Sequence, residues 1–428
     1  MTRAEPLGVA MIGCGTVGGG VARILDRHAG LLAGRASRAI ALKHVVVRDP
    51  EKSRAVDLPA GVVTTDADGA IADPDVGLGV ELIGGIEPAK SYVEAAIAAG
   101  KDVVTANKAL MCDHGAELFA LARDHGRTIG YEAAVAGGVP VIATLNRSLS
   151  GNAVTSLRAI LNGTCNFILS KMTAEGSGYA DVLAEAQRLG YAEADPAMDV
   201  DGTDTAQKLV LLAELAFGVR VKTDDFLRDG IERVDADDIA AAARAGYAIK
   251  LVASAERGEG GLAMQVGPTL VKRDEPLAGV DGPENTVEIE GDAVGRLALT
   301  GPGAGMMATA SAVVADVVDV AAGRAEPPPV STAGTPLPAD ALSGRFYWRF
   351  SVADRPHVVA DVTDVLGKHG ISLASVDQPE VAEPAAEGVV PLVVMTHATT
   401  EGVCRAAEAD LKKVDAVRDE WVRLTVAD

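Results

Sequence analysis

Through the first 150 residues, short apolar runs alternate with stretches in which apolar residues recur at helical spacing. Apolar runs of strand length occupy residues 7–12, 40–47, 76–85 and 101–111. Residues 87–100 have helical spacing and lie between two of these runs. Strands that alternate with helices are typical of an α/β fold with a doubly wound parallel sheet, which we therefore predict for residues 1–150.

A glycine-rich turn follows the first predicted strand and leads into a helix. Gly13 permits a tight turn, Gly15 lets the backbone approach a pyrophosphate, and Gly18 lets the helix pack closely on the strand. Thr16 and Val17 complete the turn, where the helix N-terminus offers N–H donors to phosphate. We predict a Rossmann-type NAD(P)-binding domain; the alternative is a glycine-rich turn in an unrelated α/β fold.

The end of the second predicted strand bears on the choice of nucleotide. An acidic residue there would bind a free ribose 2′-OH, whereas an arginine would face a 2′-phosphate. The chain has both, as Arg48 and Asp49, and Lys52 follows. We predict a slight preference for NADP and leave NAD open, since these residues also suit a solvated strand end.

Two later strands are each followed by a loop. In a doubly wound sheet such loops line the ligand crevice, which places Gly84, Gly85, Asn107 and Lys108 there. Lys108 directly follows a buried strand, so we predict a role at the ligand; the alternative is a solubilising charge.

Residues 131–145 are apolar, with Gly137, Gly138 and Pro140 in their middle. We predict a strand that breaks into an irregular loop before a helix. Such a loop exposes backbone carbonyls, which can bind a hard cation without side-chain ligands.

Residues 156–172 predict a strand, a turn at 162–164 and a helix, and the segment YAEADPAMDVDGTDTAQK follows at 191–208. Its five carboxylates do not form an EF-hand, because the glycine falls at loop position 4 instead of 6, and Val210 stands where a glutamate is needed.

The same segment predicts the start of a helix. Asp201 can act as its N-cap with Asp204 at N3, and Lys208 lies one turn after Asp204. Glu193 and Asp199 precede in a loop, and carboxylates can bind a substrate ammonium while holding a lysine. An enzyme acting on a small amino-acid-like alcohol and a solvated acidic turn both remain open.

Composition narrows the class of protein. A net charge of −21 argues against a nucleic-acid partner. The four cysteines are far apart without a CxxC pair, which disfavours a zinc site and a disulfide framework. No signal pattern or membrane-spanning apolar run is present, so we predict a soluble cytoplasmic protein.

Seven segments together resemble homoserine dehydrogenase over nearly the whole chain. In order they are GCGTVGGGV, VELIGG, TANKALM, YEAAVAGGVPVI, ILNGTCNFIL, AQRLGYAEADPAMDVDGTDTAQKL and GPGAGMMATASAVVADV. The resemblance implies NAD(P)-dependent interconversion of L-homoserine and L-aspartate 4-semialdehyde, in threonine, methionine and isoleucine biosynthesis. It also implies a homodimer or homotetramer.

The resemblance also implies roles for individual residues. Lys208 matches the acid/base lysine, Lys108 a second lysine near the nicotinamide, and Asp204 an orienting carboxylate. Glu193 and Asp199 match residues that bind the substrate amino group. The positions that match sodium ligands, mainly through backbone oxygens, are Glu132, Val135, Gly137 and Val139. Gly303 is implied to lie near the cofactor, and helix 305–322 to pack back on the nucleotide domain.

The C-terminal pattern predicts further divisions of the chain. Residues 151–322 would form an α+β catalytic and dimerisation domain, and the proline-rich residues 323–344 a linker. Residues 345–428 predict a ferredoxin-like βαββαβ order and resemble an ACT regulatory domain, for which threonine is the implied effector. His357 stands where that family has glycine, so a dimerisation module without ligand is the alternative.

Two other functions remain to be weighed. An aspartate semialdehyde dehydrogenase would need a nucleophilic cysteine, and Cys165 follows a glycine turn without an evident histidine base. In a non-catalytic sensor of nucleotide and amino acid, the lysine and the carboxylates would have no catalytic role. Measured turnover distinguishes such a sensor from an enzyme.

Overall fold

The computed structural model describes residues 4–54, 56–193, 195–258, 260–327, 329–379 and 388–427. Part of the segment predicted as an ACT domain, 380–387, therefore lies outside the described residues. The chain forms two compact units. The first comprises Met1–Thr155, Gln207–Lys222 and Asn285–Gly334, and the second Ser156–Ala206, Thr223–Glu284 and Thr335–Asp428.

The described residues form strands and helices in the following order. The strands are β1 Ala4–Ile12, β2 Arg38–Val46, β3 Val63–Thr64, β4 Val76–Glu81, β5 Asp102–Thr105, β6 Ile129–Gly130, β7 Val154–Ile160, β8 Val219–Arg220, β9 Leu227–Arg228, β10 Tyr247–Gly258, β11 Gly261–Lys272, β12 Glu284–Gly291, β13 Gly295–Pro302, β14 Thr332–Ala333, β15 Ser343–Ala353, β16 Leu373–Asp377, β17 Val389–Thr396, β18 Thr399–Thr400 and β19 Val417–Val426. The helices are α1 Thr16–Arg27, α2 Ala29–Ala36, α3 Ala67–Ala72, α4 Ala89–Ala98, α5 Lys108–Asp124, α6 Val141–Ala143, α7 Gly163–Glu175, α8 Tyr179–Leu189, α9 Ala197–Val200, α10 Thr203–Phe217, α11 Ala236–Arg244, α12 Met306–Ala321, α13 Val358–Lys368 and α14 Glu401–Leu411.

The first unit contains a six-stranded sheet in the order β3-β2-β1-β4-β5-β6, and every pair in it is parallel. This order is that of a doubly wound sheet, and the predicted fold class is confirmed. Helices cover both faces of such a sheet, so its central strands are buried and continuously apolar. Val9, Met11, Leu78 and Val80 are accordingly at or near zero exposure.

Helix α12 packs against α1 within the first unit. A Cβ at Gly20 would lie 2.8 Å from Ala310 Cβ, so only glycine permits this approach of the two helices. Val313 and Val317 of α12 are fully buried in the same core as the strands of the parallel sheet. The returning helix therefore completes the hydrophobic core of the first unit.

The second unit is built on antiparallel strands. The long strands β10 and β11 form a hairpin, and β7 pairs with the other edge of β10, with Ala159 opposite Ala253. Helices α7 and α11 pack with β10. Apolar residues such as Ile160, Val252 and Val271 fill the core between these elements.

The C-terminal segment has the order β15-α13-β16-β17-α14-β19, which is βαββαβ. Its sheet order β19-β15-β17-β16 is antiparallel throughout and ferredoxin-like. Strand β19 also pairs with β11, in parallel, at Thr425 with Thr269 and Val426 with Leu270. The segment therefore extends the sheet of the second unit.

The proline-rich segment predicted as a linker is bound to the first unit over part of its length. The Arg123 guanidinium donates to Pro329 O at 2.8 Å, and Thr332 N donates to Gly218 O at 3.0 Å. Ser331 Oγ donates to Glu214, and β14 pairs with β8. These contacts hold the chain against α5 and the end of α10.

Two further findings concern the class of protein. All four cysteines are free thiols. Within the described residues, no helix combines the length and apolar character needed to cross a bilayer.

A buried charge network ties β19 to α14 in the C-terminal segment. Arg423 donates to both carboxylate oxygens of Glu401, one at 2.6 Å, and to Glu408 at 2.7 Å. Trp348 Nε1 also donates to Glu408, at 3.2 Å. Burial raises the pKa of Glu401, but the hydrogen bonds and charge of Arg423, followed by Arg405, outweigh it and hold that pKa below its usual value.

We predict that Arg423→Met destabilises the protein by about 3–5 kcal/mol at pH 7, because it leaves the buried Glu401 carboxylate without its partner. The depressed pKa means that the stabilisation exists above the unfolded-state pKa, about 4.3, and is lost as pH falls through the folded-state value. Urea unfolding at pH 7 and at pH 3.5 measures both effects. Arg418→Met, at an exposed position of the same strand, should change stability little. Equal losses for the two variants would contradict the assignment.

Candidate functional site

The glycine turn after β1 requires glycine at two positions for steric reasons. Gly13 has φ +104°, and a Cβ there would lie 2.7 Å from Leu82 O at the end of β4. A Cβ at Gly18 would lie 2.4 Å from Gly13 O. The turn is thus packed against both central strands, at the point where strand order reverses.

The start of α1 is open. Gly15 precedes the helix, and a Cβ there would meet no heavy atom within 4 Å. Thr16 is exposed and Val17 half-buried, and no side chain caps the helix start. The start of this twelve-residue helix is therefore open beside Gly15 and free of a side-chain cap, which suits the pyrophosphate of a dinucleotide.

The buried carboxylate of Glu81 fixes the loop after β4. It accepts hydrogen bonds from Thr105 Oγ1 at 2.6 Å, from Ile83 N at 2.8 Å and from Gly84 N at 3.2 Å. Gly84 has φ +70°, a left-handed conformation that favours glycine. This network joins the ends of β4 and β5, so the predicted loop residue Gly84 lies at the carboxyl edge of the sheet.

Lys108 is the first residue of α5, and the prediction that it lies in a loop is wrong. Asn107 Oδ1 accepts from Leu110 N at 3.1 Å and begins the helix there. Asn107 Nδ2 donates to Gly85 O at 2.6 Å, which ties the helix start to the preceding strand loop. The capping potential of asparagine before an apolar run was the signal for this helix.

The end of β2 carries two guanidinium groups and one engaged carboxylate. Arg48 is exposed, and Asp49 Oδ1 accepts from Glu51 N at 3.0 Å. Arg54, which sequence reasoning missed, donates to Lys52 O at 2.8 Å and folds over this loop. Burial raises the pKa of Cys14 in the glycine turn, and the neighbouring Arg54 opposes that shift. Positive charge thus lies beside the turn.

Residues 132–139 form an irregular loop that begins with a short 3-10 helix, Glu132–Ala134. The predicted strand here is only β6, before the loop, because the consecutive left-handed residues Ala136 (φ +54°) and Gly137 (φ +51°) reverse the chain. Among the described residues, no backbone N–H donates to the oxygens of Val135 and Gly137. Glu132 O accepts only a long bond, 3.4 Å from Val135 N, and Val139 O accepts from Val141 N. Carbonyl oxygens of buried residues that no backbone N–H engages suit a hard cation.

Gly303 lies against this loop. A Cβ at Gly137 would lie 2.4 Å from Gly303 O, and Gly138 N donates to Pro302 O at 2.9 Å. A Cβ at Gly303 would lie 2.1 Å from the Asn285 side chain, so the position admits only glycine. The candidate cation loop and the predicted cofactor residue Gly303 are therefore in contact.

The Glu132 side chain has a separate partner. Its two oxygens accept from Ile142 N at 2.9 Å and Ala143 N at 2.7 Å, at the start of α6. Glu132 N donates to Asp316 Oδ2 at 2.9 Å. Burial, followed by the Glu132 charge, raises the pKa of Asp316 to about 8. The Asp316 carboxyl group thus holds the start of the loop through Glu132 N, and the Glu132 carboxylate holds the chain just after the loop through backbone N–H groups of α6. The described residues contain no cluster of three or more side chains that could hold a metal ion.

In the second unit, Asn162 brings two of the predicted carboxylates together. Its Nδ2 donates to Asp199 Oδ1 and to Asp204 Oδ2, both at 2.9 Å. Asp199 lies on α9 and Asp204 in the first turn of α10. Asp201 is not the N-cap predicted, because α10 begins two residues later; its Oδ1 accepts from Thr203 N at 2.8 Å.

Helix α10 carries Asp204 and Lys208 one turn apart on the same side. Asp204 is buried and Lys208 partly exposed. The neighbouring Leu209 and Leu212 are fully buried, so packing fixes which side of the helix bears the lysine. The helix therefore sets the spacing of carboxylate and amine.

Glu193 is exposed between α8 and α9, and its backbone oxygen accepts from Gln187 Nε2 at 3.1 Å. Thr164 Oγ1, which sequence reasoning missed, donates to Tyr191 O at 2.6 Å. That bond ties the segment that holds Glu193 to the start of α7. The asparagine turn at 162–164 was the only sequence signal for either Asn162 or Thr164.

Cys165 does not have the properties of a nucleophile. It is fully buried, and its Sγ donates to Asp199 O at 3.2 Å. Burial, followed by the charges of Asp199 and Asp204, raises the pKa of this thiol. Because thioester chemistry needs a thiolate, the site does not support the aspartate semialdehyde dehydrogenase alternative.

The chain is similar to known proteins over nearly its whole length. A family model described as the NAD-binding domain of homoserine dehydrogenase matches residues 13–132, and a second, described as homoserine dehydrogenase, matches 140–318. The homoserine dehydrogenase of a Synechocystis species is 43% identical over 96% of this chain and 97% of that protein. The crystal structure of a homoserine dehydrogenase from Thiobacillus denitrificans has a TM-score of 0.93 at 40% identity, covering 100% of this chain and 99% of that chain.

A more distant structure carries a cofactor. A hyperthermophilic archaeal homoserine dehydrogenase in complex with NADPH has a TM-score of 0.60 at 25% identity, covering 73% of this chain and 97% of that chain. The Synechocystis relative, 43% identical over nearly the full length of both chains, and the two family models show that the chain belongs to the homoserine dehydrogenase family.

Proposed function

We propose that this protein catalyses reversible NAD(P)-dependent hydride transfer between L-homoserine and L-aspartate 4-semialdehyde. The observation that carries the proposal is the pair Asp199 and Asp204, bridged by Asn162, with Lys208 one turn further along α10. Two carboxylates suit the ammonium group of an amino-acid substrate, and an adjacent amine suits proton transfer to its other end. The expected biological setting is threonine, methionine and isoleucine biosynthesis.

Lys208 is the acid and base of the proposed reaction. In the reducing direction its ammonium group donates a proton to the aldehyde oxygen, and in the oxidising direction the neutral amine accepts the hydroxyl proton. Either transfer needs a hydrogen bond of about 2.6–3.2 Å. Glu193 and Asp199 bind the substrate ammonium, and Asp204 orients the substrate and the lysine.

The glycine turn, with Gly13, Gly15 and Gly18, binds the NAD(P) pyrophosphate in this proposal. The bound nicotinamide supplies the hydride in one direction and accepts it in the other. Gly84 and Lys108 lie at the carboxyl edge of the same sheet and border the nicotinamide. Thr16, Val17 and Gly303 complete the binding surface.

We also propose a preference for NADP over NAD. Asp49 is engaged by the backbone of its own loop, whereas Arg48 is exposed and Arg54 lies beside the glycine turn. Both guanidinium groups suit a 2′-phosphate. The NADPH complex of the archaeal relative supports use of a phosphorylated nucleotide within the family.

We predict that Lys208→Ala retains cofactor binding and loses turnover by about 10²–10⁴-fold, the usual contribution of a positioned general acid. Initial rates with L-aspartate 4-semialdehyde measure turnover, and quenching of nicotinamide fluorescence measures binding. Lys368→Ala is the matched control, because Lys368 makes an exposed pair with Asp364. Near-wild-type turnover of Lys208→Ala would remove the assigned role, and an inactive wild type would favour a sensor.

The same assay addresses the nucleotide. We predict a higher kcat/KM with NADPH than with NADH, and a reduced ratio in Arg48→Ala, because the variant lacks one cation for the 2′-phosphate. A wild-type ratio that favours NADH would contradict the preference.

We further propose that sodium binds the loop oxygens of Glu132, Val135, Gly137 and Val139. Val135 and Gly137 are buried residues, and no backbone N–H of the described residues donates to their oxygens, which supports a monovalent cation held by backbone. The cation would neutralise them and rigidify the loop against Gly303, without acting as a Lewis acid.

We predict that Tm rises when sodium chloride replaces choline chloride at equal ionic strength, because the ion binds only the folded state. Gly137→Ala should abolish that rise, since its Cβ would lie 2.4 Å from Gly303 O. Gly100→Ala is the control: its φ of +74° gives similar backbone strain, with nothing within 4 Å of the new Cβ. A sodium response that survives Gly137→Ala would count against this site.

The C-terminal βαββαβ segment is proposed to be an ACT domain that binds threonine and pairs subunits in a homodimer or homotetramer. His357, immediately before α13, has φ +71°, the left-handed conformation expected of the glycine that it replaces. The backbone at His357 thus has the left-handed conformation that glycine favours, and it carries an imidazole side chain where glycine would have none.

We predict that threonine binds and inhibits, and that His357→Gly binds it more tightly, because glycine relieves the strained φ and removes the side chain. Calorimetric titration and initial rates, with D-threonine as the control ligand, measure both effects. Neither heat nor inhibition in wild type and variant would leave a dimerisation module as the better description.

A further inference from the structure

Asn162 has its side-chain amide fixed from both ends. It is the N-cap of α7, and its Oδ1 accepts from Cys165 N at 2.8 Å. Because the oxygen is engaged there, the two hydrogens of Nδ2 are directed at Asp199 and Asp204. The side chain is only 4% exposed, so water does not compete for these bonds.

The backbone under Asn162 is fixed as well. A Cβ at the next residue, Gly163, would lie 2.7 Å from Pro283 O, so the turn rests on the 280–284 loop. Asn166 Nδ2 donates to three carbonyls of that loop, at 2.9 to 3.3 Å. Buried Lys250 donates to Val280 O at 2.6 Å. The turn that carries the Asn162 amide is therefore anchored to β10 through the 280–284 loop.

The two carboxylates lie in a strongly negative part of the second unit. Burial raises the pKa of the Cys165 thiol, and four carboxylates add to that shift. In order of effect they are Asp199, Asp204, Asp201 and Glu232. Like charges at close range favour protonation of one member, and a shared N–H donor opposes this.

We propose that Asn162 is a positioning residue for the reaction: its amide holds Asp199 and Asp204 ionised and at a set spacing, ready for the substrate ammonium and for Lys208. The inference rests on the proposed function and adds a residue to it. Asn162 acts through the carboxylates and does not touch the reacting atoms.

Two substitutions separate this role from the capping role. Asn162→Ser keeps a good N-cap and replaces the two N–H donors with a single, shorter O–H group. Asn162→Asp keeps the cap and adds a like charge in place of the donors. Both should fold, since serine and aspartate cap helices about as well as asparagine. Circular dichroism and thermal melting check the fold.

The measurement is the pH profile of kcat/KM for L-aspartate 4-semialdehyde, with KM and kcat separated, on the full chain with NADPH and with NADH. In this direction Lys208 must be protonated, so its titration sets the alkaline limb and leaves the acidic limb to the carboxylates. We expect Asn162→Ser to lower kcat/KM at least about tenfold, mainly through KM, and to move the acidic limb to higher pH by about one unit or more. Asn162→Asp should have the larger effect on both. Nicotinamide fluorescence should show unchanged cofactor affinity.

Asn152→Asp is the matched control. Asn152 Oδ1 accepts from Val294 N at 2.9 Å, so the same chemical change is made at an amide that serves the backbone only. Its kcat/KM and pH profile should equal those of the wild type.

The outcomes are distinguishable. An active wild type, with Asn162 variants that melt lower but keep the wild-type KM and acidic limb, shows a structural cap only and overturns the inference. A wild type that does not reduce L-aspartate 4-semialdehyde with either nucleotide overturns the proposed function, and the inference falls with it. A raised KM with a shifted acidic limb in both variants supports the positioning role.

Discussion

Close approach of backbone to backbone is the constraint on which the glycine turn, the candidate cation loop and the turn that carries Asn162 all depend. At Gly18 over Gly13, Gly137 over Gly303 and Gly163 over Pro283, an added Cβ would lie well inside van der Waals distance. Aromatic residues make up only 3% of the chain. These turns pack closely because glycine has no side chain, and large side chains contribute less. Each turn is therefore held by contacts that a single methyl group would disrupt.

Buried polar groups then hold in place the loops and side chains that these close contacts do not fix. Glu81 accepts three hydrogen bonds at the end of β4, and Asn162 satisfies three groups in the second unit. In a low-dielectric interior an unpaired group of this kind is costly, so a fully satisfied network selects one arrangement. The same logic applies to Arg423, which is paired with two carboxylates.

Much of the fold could be predicted from the sequence, because hydrophobic period and glycine spacing are local signals. The parallel sheet follows from the apolar runs and from Gly13 to Gly18, and the βαββαβ order from the C-terminal pattern. The start of α10 was misplaced, since Asp201 and Gly202 form a turn in which the aspartate serves as an Asx turn instead of an N-cap. Lys108 was assigned to a loop because the capping by Asn107 was overlooked.

The candidate site was harder to predict than the fold. Asp199 and Asp204 were recognisable as a group because they are close in sequence, whereas Asn162 reaches them from 37 and 42 residues away. Neither hydrophobic period nor local spacing reports a contact of that range. Arg54 was missed for a different reason: it lies after the strand end, where no regular element fixes its direction.

The parallel pairing of β19 with β11 has a consequence for how the chain can be divided. At Thr269 and Leu270, the edge of the long hairpin is covered by β19. A chain cut before Ser343 would leave that edge with free N–H and C=O groups, a template for strand addition from other molecules. The C-terminal segment therefore covers this part of the β11 edge, and a chain shortened there would expose it.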